Sequence, residues 1–181
     1  MELPLTIKNA EEQLTFLNIV TEDNEQKVLV KGECKPGGGP AMHTHLLQDE
    51  CLTVVTGKMG YQFLNGEEKF AGPGETILFE RGKGHRFWNA GEDQLKIEGW
   101  IKPMHNLPFF LSKVYEAQNK SGKPEPEMFD AAYLLTRYSG EYDMPGIPGF
   151  VKKVIMPVTV LFGKLLGKYK HFKDAPAPIK S

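Results

Sequence analysis

From about Gln13 to Ile101 the apolar residues fall in short alternating runs, among them Lys27-Val-Leu-Val-Lys31, Tyr61-Gln-Phe-Leu64 and Thr76-Ile-Leu-Phe79, each bounded by Gly, Pro, Asn or Asp. A repeat of two turns one face of an extended segment to a core and the other to water, so these runs predict β-strands. Thr15 to Val20 and Lys27 to Gly32 flank Glu22-Asp23-Asn24, and Tyr61 to Leu64 leads into Asn65-Gly66. That last dipeptide is the one best suited to a two-residue type I′ hairpin. So many short strands within about 100 residues predict a sandwich or barrel.

Beyond Ile101 the spacing becomes helical. Asn106-Leu-Pro108, then Phe110, Leu111, Val114 and Ala117, closed by Ser121-Gly122, predicts a capped amphipathic helix. A second helix is expected from near Pro126 to Arg137, with Glu125 and Glu127 at its positive end and Phe129, Ala132, Tyr133 and Leu135 as its apolar stripe. A third helical stretch is expected from about Pro148 to His171, kinked or split at Pro157, which removes a backbone donor and collides with the preceding turn. The tail from Ala175 to Ser181 is expected to be loose.

Composition fits this division. The 181 residues include 19 Gly and 13 Pro, enough to punctuate many strands, and 25% are charged with a formal net charge of −1. Near-neutrality excludes nucleic-acid wrapping as a main function, because neutralising phosphates needs a strong basic excess. Two cysteines, Cys34 and Cys51, are too few for a disulfide framework, and Met1 to Ala10 show no leader pattern, so a reducing, cytoplasmic setting is expected. The stretch Val154 to Gly163 between Lys153 and Lys164 has about half the length needed to span a bilayer.

The chemistry-bearing residues cluster in two strings. The first reads Gly37-x5-His43-x-His45-x4-Glu50-x6-Gly57, the second Gly74-x5-Glu80-x-Gly82-x2-His85-x3-Asn89. Histidines at i and i+2 share a strand face, a carboxylate across a short turn can return to that face, and His85 can be delivered from a facing hairpin. Three imidazoles and a carboxylate turned to one interior are costly to bury unpaired, and a metal ion satisfies all four. A metal-free barrel is the competing reading. His105 and His171 lie outside both strings and are read as structural.

These strings resemble the paired motifs of the cupin superfamily, a jelly-roll family in which three histidines and a glutamate hold a divalent metal. The first matches at every fixed position, and the second departs only at Glu80, where the family usually has proline. The resemblance implies a mainly β fold, a cupin double-stranded β-helix with a C-terminal α-helical extension, divided as a barrel over 6–103 and an extension over 104–181. It implies one divalent transition metal (Fe, Mn, Ni, Zn, Co or Cu) on His43, His45, Glu50 and His85, with Glu50 also serving as a proton acceptor. The implied activity is that of a metal-dependent dioxygenase acting on a small organic molecule, aromatic ones included. A non-catalytic binding or sensing module, or an isomerase or decarboxylase on the same metal, are the alternatives.

Strand parity adds the pocket. If Glu50 and His85 face inward, so do Leu52, Val54, Phe87 and Asn89, with Tyr61 and Phe63 on the inner face of a neighbouring strand, whereas Cys51, Arg86 and Trp88 point away. Plain core packing accounts for the same residues.

The net charge of −1 is a cancellation. Residues 151–181 hold seven lysines and one acid, Asp174, for +6, and residues 1–150 hold 15 basic and 22 acidic groups, for −7. Phe150, Val151, Val154, Ile155, Val158, Leu161, Phe162, Leu165 and Leu166 form a broad apolar surface beside those lysines. Two accounts fit: docking on the chain's own barrel or a second subunit, or weak association of 148–173 with an anionic membrane surface. A homodimer is expected, and Gly163-x3-Gly167 is read as permitting a close contact.

Overall fold

In the computed structural model, which describes residues 2–179, two larger antiparallel sheets and a short two-stranded one carry the site. The larger sheet has the order β1 (Leu5–Lys8), β2 (Glu12–Glu22), β3 (Glu25–Cys34), β10 (Leu95–Lys102), β5 (Asp49–Thr56), β8 (Thr76–Phe79). The smaller has the order β7 (Lys69–Ala71), β6 (Met59–Phe63), β9 (His85–Asn89). A jump from β3 to β10 and from β5 to β8 within one sheet marks the jelly-roll wiring. Alternation follows parity: Glu50, Leu52 and Val54 of β5 are buried between more exposed neighbours, as are His85, Phe87 and Asn89 of β9.

The turns differ from expectation at one place. The two-residue hairpin is Asp23-Asn24, both with positive φ, joining β2 to β3. Asn65-Gly66 instead lies in a five-residue connection from β6 to β7, in which Gly66 N–H donates to Phe63 O and Asn65 alone takes positive φ. Register explains this: Tyr61 pairs with Lys69, so the strands part before the dipeptide is reached.

The extension comprises α1 (Leu107–Ser121), α2 (Met128–Arg137), the short β11 (Tyr142–Asp143) and α3 (Met156–Leu165). Glu127 caps α2 by accepting from Asp130 N, and Gly122 ends α1 in the left-handed conformation. Leu107, Phe110, Leu134, Tyr138, Tyr142 and Phe172 join Phe16, Val28, Leu52, Phe79 and Ile97 in one continuous core. β11 pairs with β4 (Thr44–His45), so the extension adds a strand beside a histidine of the first motif.

The third helical stretch is shorter than its sequence pattern. Val151–Ile155 form a π turn, in which Met156 N donates to Val151 O, and α3 begins only there, with Pro157 in its first turn. The wider turn accommodates the missing N–H and the ring of Pro157. Gly167, at φ 66°, ends the helix, and the chain folds back so that the Tyr169 phenol fills the space above Gly163, where a Cβ would collide with its oxygen. The tail is not loose over 175–179. Arg137 Nη2 donates to Ala175 O and Pro176 O, Tyr138 hydroxyl to Pro176 O, and Ile179 N to Glu141 Oε1. The remainder of the tail, residues 180–181, lies outside the described residues.

Candidate metal centre

The sequence delivers its four candidate ligands from three places. His45 ends the two-residue β4, His43 is bridged to His85 at the start of β9, and Glu50 is the second residue of β5. The turn before β9 is fixed from outside the site. Arg81 grips Asp49 at the head of β5 through Nη2 (2.7 Å) and donates its backbone N–H to the same carboxylate (2.8 Å). Glu80, standing where proline is usual, pairs with Lys83 across the turn. A charge pair and an Arg clamp thus hold a turn that a proline would otherwise stiffen.

One donor atom from each of His43, His45, Glu50 and His85 falls within 4.8 Å of every other. The edges are 3.1 Å for His43 Nε2 to His45 Nε2, 3.1 Å for His85 Nε2 to Glu50 Oε2 and 3.6 Å for His45 Nε2 to Glu50 Oε2. Metal–ligand bonds of about 2.1 Å require donor separations of about 3.0–3.4 Å for neighbouring ligands and about 4.2 Å for opposite ones. The two 3.1 Å edges lie in the range for neighbouring ligands, and the 3.6 Å edge lies just above it.

Proton placement gives a second test of fit. His43 Nδ1 lies 2.8 Å from Ala41 O and His85 Nδ1 lies 3.0 Å from Lys83 O. A carbonyl only accepts, so each Nδ1 carries the hydrogen and each Nε2 presents its lone pair inward. Lone pairs facing a carboxylate at 3.1 Å need either a shared proton or a cation between them. The residues present fit a divalent metal.

Burial sets the charge state. Burial pushes the pKa of His43 down to about 3 and that of His45 down to about 4. Burial works to raise the Glu50 carboxyl, but the contact with His85 and the neighbouring imidazoles outweigh it and hold it well below the usual range. Neutral His43 and His45 beside an ionised carboxylate are the forms that ligate metals. A sign follows for the metal-free protein. The unfolded chain takes up protons on these histidines near pH 6.5, the folded one only near pH 3–4, so acid favours unfolding across that interval. The melting temperature of metal-free protein should fall steadily from pH 7 to pH 4 in differential scanning fluorimetry. A flat profile over that range would contradict the buried neutral histidines.

The surroundings include residues that spacing did not reveal. The Phe79 ring stacks on His85 at 4.2 Å with an interplanar angle of 11°, and Phe63 and Phe87 lie next to Phe79 at 5.7 and 6.5 Å. Tyr142 of β11 stands edge-on to His45 at 5.7 Å, and its hydroxyl accepts from Gln48 Nε2 at 3.2 Å. Gln48 is fully buried, and both its Oε1 and His45 Nδ1 lack a hydrogen-bond partner. The two groups are close enough for Gln48 to favour protonated His45. A small rotation would let Nδ1–H donate to Oε1, the outer contact that orients a ligating imidazole.

Of the expected pocket residues, Leu52, Val54 and Phe87 are core, whereas Tyr61 and Phe63 are partly exposed beside Phe79. Asn89 is buried, yet its amide serves the backbone: Nδ2 donates to Cys34 O and Asp93 O, and Oδ1 accepts from Gly91 N. It locks the turn after β9 instead of facing a ligand. Two surface hollows flank the site, one of about 760 Å³ bounded by Glu12, Pro40, Arg86 and Trp88, the other of about 430 Å³ bounded by Tyr142, Lys152 and Pro157. Neither has a candidate ligand in its wall. Both cysteines are free, and burial pushes the Cys34 thiol up to about 12. His171 pairs with the buried Asp130 at 3.1 Å, a structural role.

Parts of the chain are similar to known proteins. The family model for the cupin domain matches residues 30–101. Among solved structures, an uncharacterized conserved protein with a double-stranded β-helix domain from Klebsiella pneumoniae is 24% identical over 54% of this chain and 82% of its own, with a TM-score of 0.46. KdgF from a Halomonas species is 18% identical over 55% of this chain and 87% of its own, at 0.47. The capsular polysaccharide assembling protein CapF from Staphylococcus aureus is 20% identical over 55% of this chain but only 30% of its own, at 0.49. No curated protein matches the chain.

Proposed function

Because its strand-rich segment belongs to the cupin superfamily, we propose that this chain is a metal-dependent dioxygenase acting on a small aromatic or otherwise apolar organic substrate. The observation that carries the reading is the set of four donor atoms within 4.8 Å of one another, two of them imidazole nitrogens with lone pairs fixed inward by carbonyl contacts. His43, His45, Glu50 and His85 would hold one divalent transition metal, which supplies Lewis-acid polarisation and open positions for substrate or dioxygen. Phe79 covers one face of His85 and keeps water from that side. Tyr61 and Phe63 extend the aromatic surface outward from Phe79, and their chemistry favours an apolar ring. Glu50, with Oε2 turned to the His45 and His85 nitrogens, would also serve as the acceptor of a substrate proton.

Oxygen uptake with a panel of flavonols, diketones and catechols, after loading with iron, nickel or manganese in turn, tests the activity. Uptake with at least one substrate supports the proposal. Binding of these compounds without turnover under every metal would favour the non-catalytic binding module. Gln48→Leu and Tyr142→Phe should each lower metal affinity by about tenfold. A titration with Co²⁺ followed by its visible absorption reads this directly, and unchanged affinity in both variants would remove the orienting role.

We also propose a homodimer formed through the larger sheet. Leu29, Trp100, Cys51 and Leu78 are cross-strand neighbours on its outer face, an apolar row four strands wide. Light scattering on Trp100→Glu should show a monomer where the parent protein shows a dimer.

A further inference from the structure

The apolar surface of the C-terminal helix is left largely uncovered by its own chain. Phe150, Val154, Ile155, Val158, Leu161, Phe162, Leu165 and Leu166 are all exposed, with Leu161 at 58%, Phe162 at 57% and Leu165 at 75%. Their spacing of three, four and one residues keeps them on one side of a helix of 3.6 residues per turn. The opposite side is the one that is fastened. Gly163 is buried under Tyr169, Tyr169 lies against Tyr133 of α2 at 4.8 Å, and Phe172 stacks on Tyr133 at 4.3 Å. Intramolecular docking therefore accounts for the inner face alone.

Charge identifies what the outer face suits. Between residues 144 and 173 there are six lysines (152, 153, 164, 168, 170 and 173) and no acid. Among the described residues, Lys153, Lys164, Lys168 and Lys170 have no carboxylate partner. Lys153 and Lys164 leave the helix beside the apolar arc, where long stems can lie along an apolar layer with the ammonium groups in the headgroups. Among the described residues no helix is long and apolar enough to cross a membrane, and one apolar face flanked by lysines suits a helix lying in the interfacial plane.

We propose that α3 with its preceding π turn is a membrane-docking surface that lays this apolar face on an anionic phospholipid layer, its lysines meeting the lipid headgroups. A second copy is the poorer occupant, because two-fold pairing through this helix sets the two cationic flanks against each other. The helix is already held on α2, so docking does not carry the ordering cost of folding a free peptide. The proposal is independent of the metal centre.

Co-sedimentation of the full-length protein with phosphatidylcholine/phosphatidylserine vesicles tests it. At low salt the protein is expected in the pellet, with binding at least about tenfold weaker to pure phosphatidylcholine vesicles and falling as salt is raised. Leu161→Glu combined with Leu165→Glu should reduce sedimentation to background, while Lys153→Gln with Lys164→Gln should weaken binding by about tenfold or more. All four positions are exposed, so the melting temperature should stay within a few degrees of the parent and exclude misfolding. Failure of the parent protein to sediment with anionic vesicles at low salt overturns the proposal. So does a self-association, seen by light scattering, that the two glutamates abolish while vesicle binding persists.

Discussion

The double variant His43→Ala, His85→Ala is expected to lose divalent metal affinity by about four orders of magnitude. A four-ligand site with intact geometry contributes roughly 10–16 kcal/mol, so each ligand accounts for about 3 kcal/mol, or about a hundredfold, and two for about 10⁴. The two chosen residues are the ones whose tautomers are fixed by Ala41 O and Lys83 O, so their lone pairs are lost outright and no neighbour can replace them. His85→Ala also leaves Glu50 Oε2 without its 3.1 Å partner in the metal-free state. The variant should consequently be less stable than the parent at neutral pH, because a buried carboxylate has lost its compensation. Competition with a chromogenic chelator measures the affinity. Metal binding of parental strength in the double variant would mean that the cation is held elsewhere.

Gly99→Ala should be the most damaging single-methyl change in the strands. Gly99 sits on β10 between Val30 of β3 and Leu52 of β5, and a Cβ there would fall 1.9 Å from Cys51 O and 2.9 Å from the same carbonyl carbon. Backbone cannot move aside as a flexible side chain can, so β5 and β10 must separate. The expected cost is about 3 kcal/mol or more, a fall of roughly 6–12 °C in melting temperature for a chain of this size. Glu50 pairs with Ile101 two residues farther along β10, so the same displacement should loosen the metal site. Gly146→Ala, where an added Cβ meets nothing within 4 Å, is the control and should change stability by less than about 0.5 kcal/mol. Equal melting temperatures for the two variants would show that the close approach of β5 to β10 is not tight.

The two alanine predictions draw on different kinds of legibility. His43, His45, Glu50 and His85 could be read from the chain because their spacing survives translation into strand parity and two short turns. Leu52, Val54 and Phe87 followed from the same parity. Gln48 and Tyr142 could not be read that way. Gln48 lies between two ligands as an ordinary polar residue, and the hydroxyl that engages it comes from a residue 94 positions later. The tail shows the same limit. Its order depends on Arg137, Tyr138 and the buried Glu141, partners that local composition does not announce. Asn65-Gly66 had the residues for a tight hairpin, but the register of β6 on β7 leaves it inside a five-residue connection. For α3 the periodicity correctly marked an apolar surface. Which side would be fastened depended on Tyr169 and Phe172 folding back past Gly167, a tertiary event.

These contacts give the extension a place in the site's physics. β11 pairs with β4 at His45, Tyr142 faces the His45 ring, and Leu46 N donates to Glu141 O. The helices and the strands that carry the four candidate ligands therefore share hydrogen bonds as well as a core. A change in α2 that shifts Tyr138 or Tyr142 should reach the metal ligands through Gln48.

The most direct test of the central claim is anomalous X-ray scattering from crystals of the protein grown with a divalent transition metal, combined with the metal content of the same preparation. The expected result is one metal per chain, with a single anomalous peak about 2.0–2.3 Å from His43 Nε2, His45 Nε2, His85 Nε2 and a Glu50 carboxylate oxygen. Sub-stoichiometric metal with no peak among these four atoms, under saturating metal at neutral pH, would contradict it.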